Sequence, residues 1–129
     1  MQDFSIIIEP RFYETDALGH INNASIAAWF EVLRVKFLDS LGADDPSAAK
    51  DWVLASLHID FVAETFYGTD VTALITAAKI GNSSLTMVCA MEQGDKVTVR
   101  GKAVLVHRST ATNKSTRIPD SLREQLAAR

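Results

Sequence analysis

Tyr13-Glu14-Thr15-Asp16-Ala17-Leu18-Gly19-His20-Ile21-Asn22-Asn23, running straight into the apolar pattern Ala24–Leu41, is the stretch on which the fold turns. The first half is polar and carries two carboxylates, Glu14 and Asp16, the latter close to a glycine, an imidazole and two side-chain amides. The second half changes period. Ile26, Trp29, Phe30, Leu33, Phe37 and Leu41 recur at steps of three and four, the spacing of one helix face. Asn22 or Asn23 can cap the helix start, and Gly42 stands where a left-handed terminator belongs. A polar loop feeding a helix start leaves backbone N–H groups without partners, able to hold an anion or a polarised carbonyl oxygen. A carboxylate beside such donors is half of what acyl transfer needs.

Outward from this segment the pattern is that of strands. Before it, Phe4, Ile6 and Ile8 alternate with Ser5, Ile7 and Glu9, and Pro10 ends the run or confines it to an edge. After it, Ala43–Asp51 reads as a surface loop broken by Pro46. Four period-two runs follow: Val53, Ala55, Leu57, Ile59 and Phe61; Val71, Ala73, Ile75 and Ala77; Leu85, Met87, Cys89 and Met91; Val97, Val99, Ala103 and Leu105. Each set predicts one face packed on a core. The joints at Gly68, Gly81 and Gly94 are short, which favours antiparallel hairpins over crossovers. A tail helix is expected near Pro119, with Ser121 and Glu124 at capping-box spacing. A helix of about 27 Å and strands of about 33 Å bury each other if the sheet curls lengthwise around the helix. The expected class is α+β, a five-stranded antiparallel sheet wrapped around one long helix, with residues 1–129 as one domain.

Bulk properties narrow the chemistry. A chain of 129 residues with 47% hydrophobic residues can build its core without disulfides, and it has one cysteine, Cys89, in a strand pattern that predicts a buried thiol. That points to a reducing compartment. The N-terminus lacks a basic region followed by an apolar core, and no apolar run spans a bilayer, so neither a signal peptide nor a membrane partner is expected and the location is read as cytoplasmic. A net charge of -3 argues against nucleic acid as the main partner. His20, His58 and His107 show no metal-ligand spacing, and with a single cysteine no zinc site is expected.

Taken together, Tyr13-x-Thr15-Asp16-x-x-Gly19-His20-Ile21-Asn22-Asn23, Trp29-Phe30-Glu31-x-x-Arg34, Gly68-x-Asp70, Gly81-x-Ser83-Ser84-Leu85 and Ile118-Pro119 resemble the hotdog-fold thioesterases of the 4-hydroxybenzoyl-CoA type, from Phe4 to about Leu122. One departure stands out: Ile26 occupies a position where that family usually carries tyrosine. The resemblance implies an acyl-CoA thioesterase that needs no metal or redox cofactor. It implies Asp16 as nucleophile or general base, and a backbone N–H near Asn23 as donor to the oxyanion. It makes Glu31 a fallback acid or base, since a related branch carries its catalytic glutamate on this helix. Asn82, Ser83 and Ser84 would touch the pantetheine or nucleotide end of CoA. A homodimer or homotetramer with its site between protomers is expected, because a single sheet leaves an edge uncovered.

Each residue also has a plainer reading. Asp16 can simply cap a turn, and Gly19, which can permit close approach of a bound substrate, can simply serve the loop's geometry. His20 can orient Asp16, contact substrate or hold the loop. Glu31 can pair with Arg34 at i,i+3. His58 and Asp60 lie opposite Leu57, Ile59 and Phe61, on a face that is either solvated or part of a pocket. Lys79, Arg100, Lys102 and Arg108 are cations available to CoA phosphates or to solvent. Two other functions remain open: release of acyl or polyketide chains from a carrier protein, and non-catalytic acyl-CoA binding. A dehydratase fits less well, because it pairs its histidine and acid in a different local setting.

Overall fold

A computed structural model describes residues 4–41 and 51–127, so Gly42, Pro46 and most of the loop expected around them lie outside the described residues. The chain forms β1 (Phe4–Ile8), a single 3-10 turn (Phe12–Glu14), α1 (Asn23–Leu41), β2 (Trp52–Phe61), β3 (Val71–Ile80), β4 (Ser84–Gln93), β5 (Lys96–His107) and α2 (Asp120–Ala127). The strands make one antiparallel sheet in the order β1-β3-β4-β5-β2. The sheet's inner face and α1 bury each other. Trp29, Phe30, Leu33, Phe37 and Leu41 meet Val71, Ile75, Leu85, Met87, Met91 and Val99 in the core. Burying each such side chain contributes about 1.5–3 kcal/mol. No described helix is long and apolar enough to cross a membrane.

The alternation departs from a plain period of two at three β-bulges. A bulge at Ala55 puts Trp52 and Leu54, rather than Val53, on the same face as Leu57, Ile59 and Phe61. A second at Thr76 leaves Ala77 exposed and returns Ala78 and Ile80 to the inside. A third at Thr98 buries that threonine, which sequence alternation placed on the outer face. Each extra residue flips the faces beyond it, which a curled sheet needs and a flat one does not.

Gly101 on β5 lies under the Phe30 ring. A Cβ there would stand 3.0 Å from Phe30 Cζ, so the missing side chain lets α1 settle onto the sheet. The tail helix forms, but Ser121 and Glu124 do not box its start. Pro119 O takes the first helical bonds, from Leu122 N and Arg123 N, which places Ser121 inside the helix.

Strand register sets two ends of the sheet apart. At one, Ile8, Val71, Gln93 and Lys96 lie near the start of the loop that follows β1 and the exit of β2 at Phe61. At the other lie Trp52, His107 and the β3–β4 hairpin, whose Ser83 O accepts from His107 N.

Candidate active site

The loop between β1 and α1 is built by its own polar groups. Asp16 Oδ1 accepts from Leu18 N at 2.8 Å and from His20 N at 3.1 Å, and Asp16 N donates to His20 O at 2.7 Å. This is an Asx-type turn, and it closes through Gly19 at φ +82°. A Cβ at Gly19 would meet no protein atom within 4 Å, so within the chain it is the left-handed backbone that calls for glycine here. Asp16 Oδ2 takes no hydrogen bond from the described residues, and the side chain is exposed.

Asn22 is the cap of α1: its Oδ1 accepts from Ser25 N at 2.7 Å, and its O accepts from Ile26 N. The N–H groups of Asn23 and Ala24 therefore have no acceptor among the described residues, as expected for the first turn of a helix. Glu14 fixes the loop against α1. Its Oε1 accepts from Arg11 N, its Oε2 accepts from Trp29 Nε1 at 2.7 Å, and its O takes both the backbone and the side-chain N–H of Asn22. The sequence reading gave Glu14 no role; an acid fifteen residues ahead of a tryptophan is not a local signal.

Facing this loop is the segment leaving β2. Ile21 N donates to Thr65 O at 2.8 Å, and Thr65 Oγ1 donates to Thr98 Oγ1 at 2.9 Å, so the Thr98 bulge anchors the second wall. Between the walls is an open cleft of about 590 Å³, lined by Asp16, His20, Ile21, Asn22, Asn23 and Ile26 on one side and by Phe61, Val62, Ala63, Glu64 and Thr65 on the other. Ile26 makes that wall apolar where a tyrosine would have carried a hydroxyl. The 61–65 wall was missed because nothing in its sequence says which loop it faces; only the edge position of β2 does. Glu64 is the notable residue on it, with Oε2 3.3 Å from His20 Nε2. Gln93 holds the chain just beyond: its Nε2 donates to Phe66 O and Thr69 O, and its Oε1 accepts from Phe66 N.

The structure thus brings Asp16, His20 and Asn23 to one cleft, with Gly19 in the turn beside them, and it places the other expected residues elsewhere in the chain. Glu31 is exposed and lines a separate hollow of about 140 Å³ with Arg34, Trp52 and Leu54. Among the described residues no ion pair joins it to Arg34; that residue is 4% exposed, and its Nη1 has no hydrogen-bond partner there. Burial pushes the Arg34 guanidinium below its usual range, against the opposing pull of Cys89 and Glu31. His58 pairs with Asp60 at 3.0 Å on the outer face of β2. Asn82, Ser83 and Ser84 sit in the hairpin at the far end of the sheet, clasped by Arg123, whose Nη2 donates to Gly81 O and Asn82 O. Among the described residues no cluster of three or more His, Cys, Asp or Glu is arranged to hold a metal.

Comparison with known proteins agrees with this architecture. The chain is 33% identical to a predicted thioesterase from Bacillus stearothermophilus, covering 98% of this chain and 96% of that one with a TM-score of 0.91. It shares the fold of a Thermus thermophilus thioesterase complexed with coenzyme A and Zn, at 24% identity and a TM-score of 0.87, covering 96% and 91% of the two chains. It is 26% identical to the uncharacterized protein YsmA of Bacillus subtilis (strain 168), over 92% of this chain and 82% of that protein. The pattern of the Thioesterase-like superfamily matches residues 10–126, from the threshold of the Asp16 loop into the last turn of α2. On that match the chain belongs to the Thioesterase-like superfamily, and it is a thioester hydrolase.

Proposed function

We propose that the protein hydrolyses acyl-CoA thioesters, with Asp16 as nucleophile or general base and the helix-start N–H of Asn23 as donor to the oxyanion. The observation that carries this is the shared cleft, lined by Asp16, whose Oδ2 has no partner among the described residues, and by Asn23, whose backbone N–H has no acceptor among them. In the general-base route, water bonds to the acyl carbon as its proton passes to Asp16. Negative charge collects on the carbonyl oxygen and meets the helix-start donor. The C–S bond then breaks, the electron pair leaves on sulfur, and the proton follows to give acid and thiol. Removing one oxyanion donor typically costs about 3 kcal/mol of barrier. The coenzyme A carried by the Thermus relative, a protein of the same fold, supports the choice of thiol.

The assembly in this reading is a dimer through β2. That strand lies at the sheet edge with one side unpaired, and its inward Leu57 and Phe61 are uncovered. Buried beside the same edge, Arg34 has an Nη1 with no acceptor among the described residues, which is costly unless another chain completes it. Antiparallel pairing of β2 with its copy sets the partner's hairpin end beside the Asp16 end of the first protomer. Asn82, Ser83 and Ser84 of one chain would then grip the CoA whose thioester meets Asp16 of the other.

The test is a panel of acyl-CoAs and acyl carrier proteins, with thiol release followed by a thiol-reactive dye. Asp16→Asn is expected to lose about 100-fold or more in kcat, while Asn23→Ala keeps most activity because the proposed donor is backbone. Normal hydrolysis by Asp16→Asn would remove Asp16 from the mechanism. Binding without cleavage would favour a non-catalytic module, and preference for the carrier-protein substrates would move the handle from CoA to protein.

A further inference from the structure

We infer that Glu64 is a positioning residue of this cleft, holding the His20 ring with its proton on Nε2 and leaving Nδ1 as the proton-accepting nitrogen on the same loop as Asp16. The inference rests on the thioesterase reading above and adds a carboxylate to it. His20 and Asp16 leave the backbone at linked points, since each donates a backbone N–H to the other residue: His20 N to Asp16 Oδ1 and Asp16 N to His20 O. The imidazole itself is held from the opposite wall. Glu64 Oε2 stands 3.3 Å from Nε2, and the Phe66 ring meets the imidazole edge-on at 5.2 Å between centroids. Phe66 is in turn pinned at both its N–H and its C=O by the Gln93 side chain. The ring is therefore fixed by a chain of contacts reaching back to β4.

A neutral imidazole carries one proton, and a neighbouring carboxylate draws it to the nearer nitrogen. Nδ1 makes no hydrogen bond among the described residues and belongs to a ring that lines the cleft. The titratable groups lining the cleft with His20 are Asp16, from its own loop, and Glu64, from the facing wall; Asn22 and Asn23, at the start of α1, are neutral. In hydrolysis the proton taken from water by Asp16 must reach the sulfur. Nδ1 accepts it from Asp16 and donates it to the thiolate as the C–S bond breaks, and both side chains regain their starting protonation. The Glu64 carboxylate keeps the ring's orientation through the transfer. A surface ion pair of 3.3 Å would by itself contribute little to stability, so a purely structural Glu64 predicts no kinetic effect.

The test compares Glu64→Ala, His20→Asn and the double variant in thiol release, together with 15N spectra of the histidine ring. Glu64→Ala is expected to lower kcat about ten-fold with KM held within about two-fold, and the double variant to be no slower than His20→Asn alone. Wild-type 15N shifts should show Nε2 protonated and Nδ1 bare, and Glu64→Ala should mix the two tautomers. Unchanged kcat in Glu64→Ala, additive losses in the double variant, or an unchanged tautomer would each overturn the inference. If the wild-type protein cleaves no thioester, the thioesterase reading fails instead, and the 15N comparison still decides whether Glu64 sets the His20 ring.

Discussion

At the scale of single residues, the site depends on backbone conformations and protonation states more than on unusual side chains. Gly19 holds φ +82° with open space around it, so Gly19→Ala is expected to cost about 1–2 kcal/mol from backbone strain alone. It should also slow thioester cleavage by shifting the Asp16 turn; urea unfolding and thiol release measure the two effects. Gly101→Ala pushes a methyl into the Phe30 ring and is expected to cost about 1–3 kcal/mol, read the same way, with little change at the cleft. Burial pushes the Cys89 thiol from 9.0 up to about 11, the Arg34 guanidinium opposing. Between those values the folded chain holds a proton that the unfolded chain has lost, so this residue's contribution to stability falls as pH rises from about 9 to about 11. The loss is on the order of 2 kcal/mol, and Cys89→Ala should lack it when unfolding is compared at the two pH values. The same buried, protonated thiol should stay silent to the dye used in the activity assay.

At the scale of elements, α1 is legible because its apolar stripe, its cap and its length all agree. Asn22→Ala is expected to cost about 1 kcal/mol, since it leaves Ser25 N without its partner. It should also reduce kcat, because the helix start presents the proposed oxyanion donor; thermal unfolding and kinetics separate the two effects. The strands were legible in number and order along the chain, but not in phase. Ala55, Thr76 and Thr98 each insert one residue, and nothing in an alternating run marks which position will be the extra one. The Thr98 bulge matters to the site, because it supplies the oxygen that accepts from Val62 N and Ala63 N and the hydroxyl that accepts from Thr65.

At the scale of the whole molecule, the proposed dimer rests on what a single chain leaves uncovered. An uncovered edge strand, exposed Phe61, Val62 and Leu57, and a buried Arg34 without an acceptor among the described residues all lie toward the same side of the sheet. Sedimentation is expected to give at least twice the 14.1 kDa of one chain. Leu57→Lys should shift the protein toward monomer and lose cleavage together with association. A monomeric variant of full activity would show that one protomer carries the whole site.

Periodicity by itself determined the long helix and the count of strands, because hydrophobic alternation is a local consequence of which face meets water, and the short glycine-bearing joints pointed to their antiparallel sense. The motif loop likewise announced its own chemistry, since Asp16, Gly19, His20 and the capping asparagine interact within a few residues of one another. Tertiary structure alone decided what faces that loop. Glu64 and Thr65 reach the cleft only because β2 pairs with β5 at the sheet edge and exits opposite α1, and Glu31 and the Asn82–Ser84 hairpin lie apart from it for the same reason. Those contacts join residues tens of positions apart, and strand order in space, which no local pattern encodes, is the physical cause that brings them together or keeps them apart.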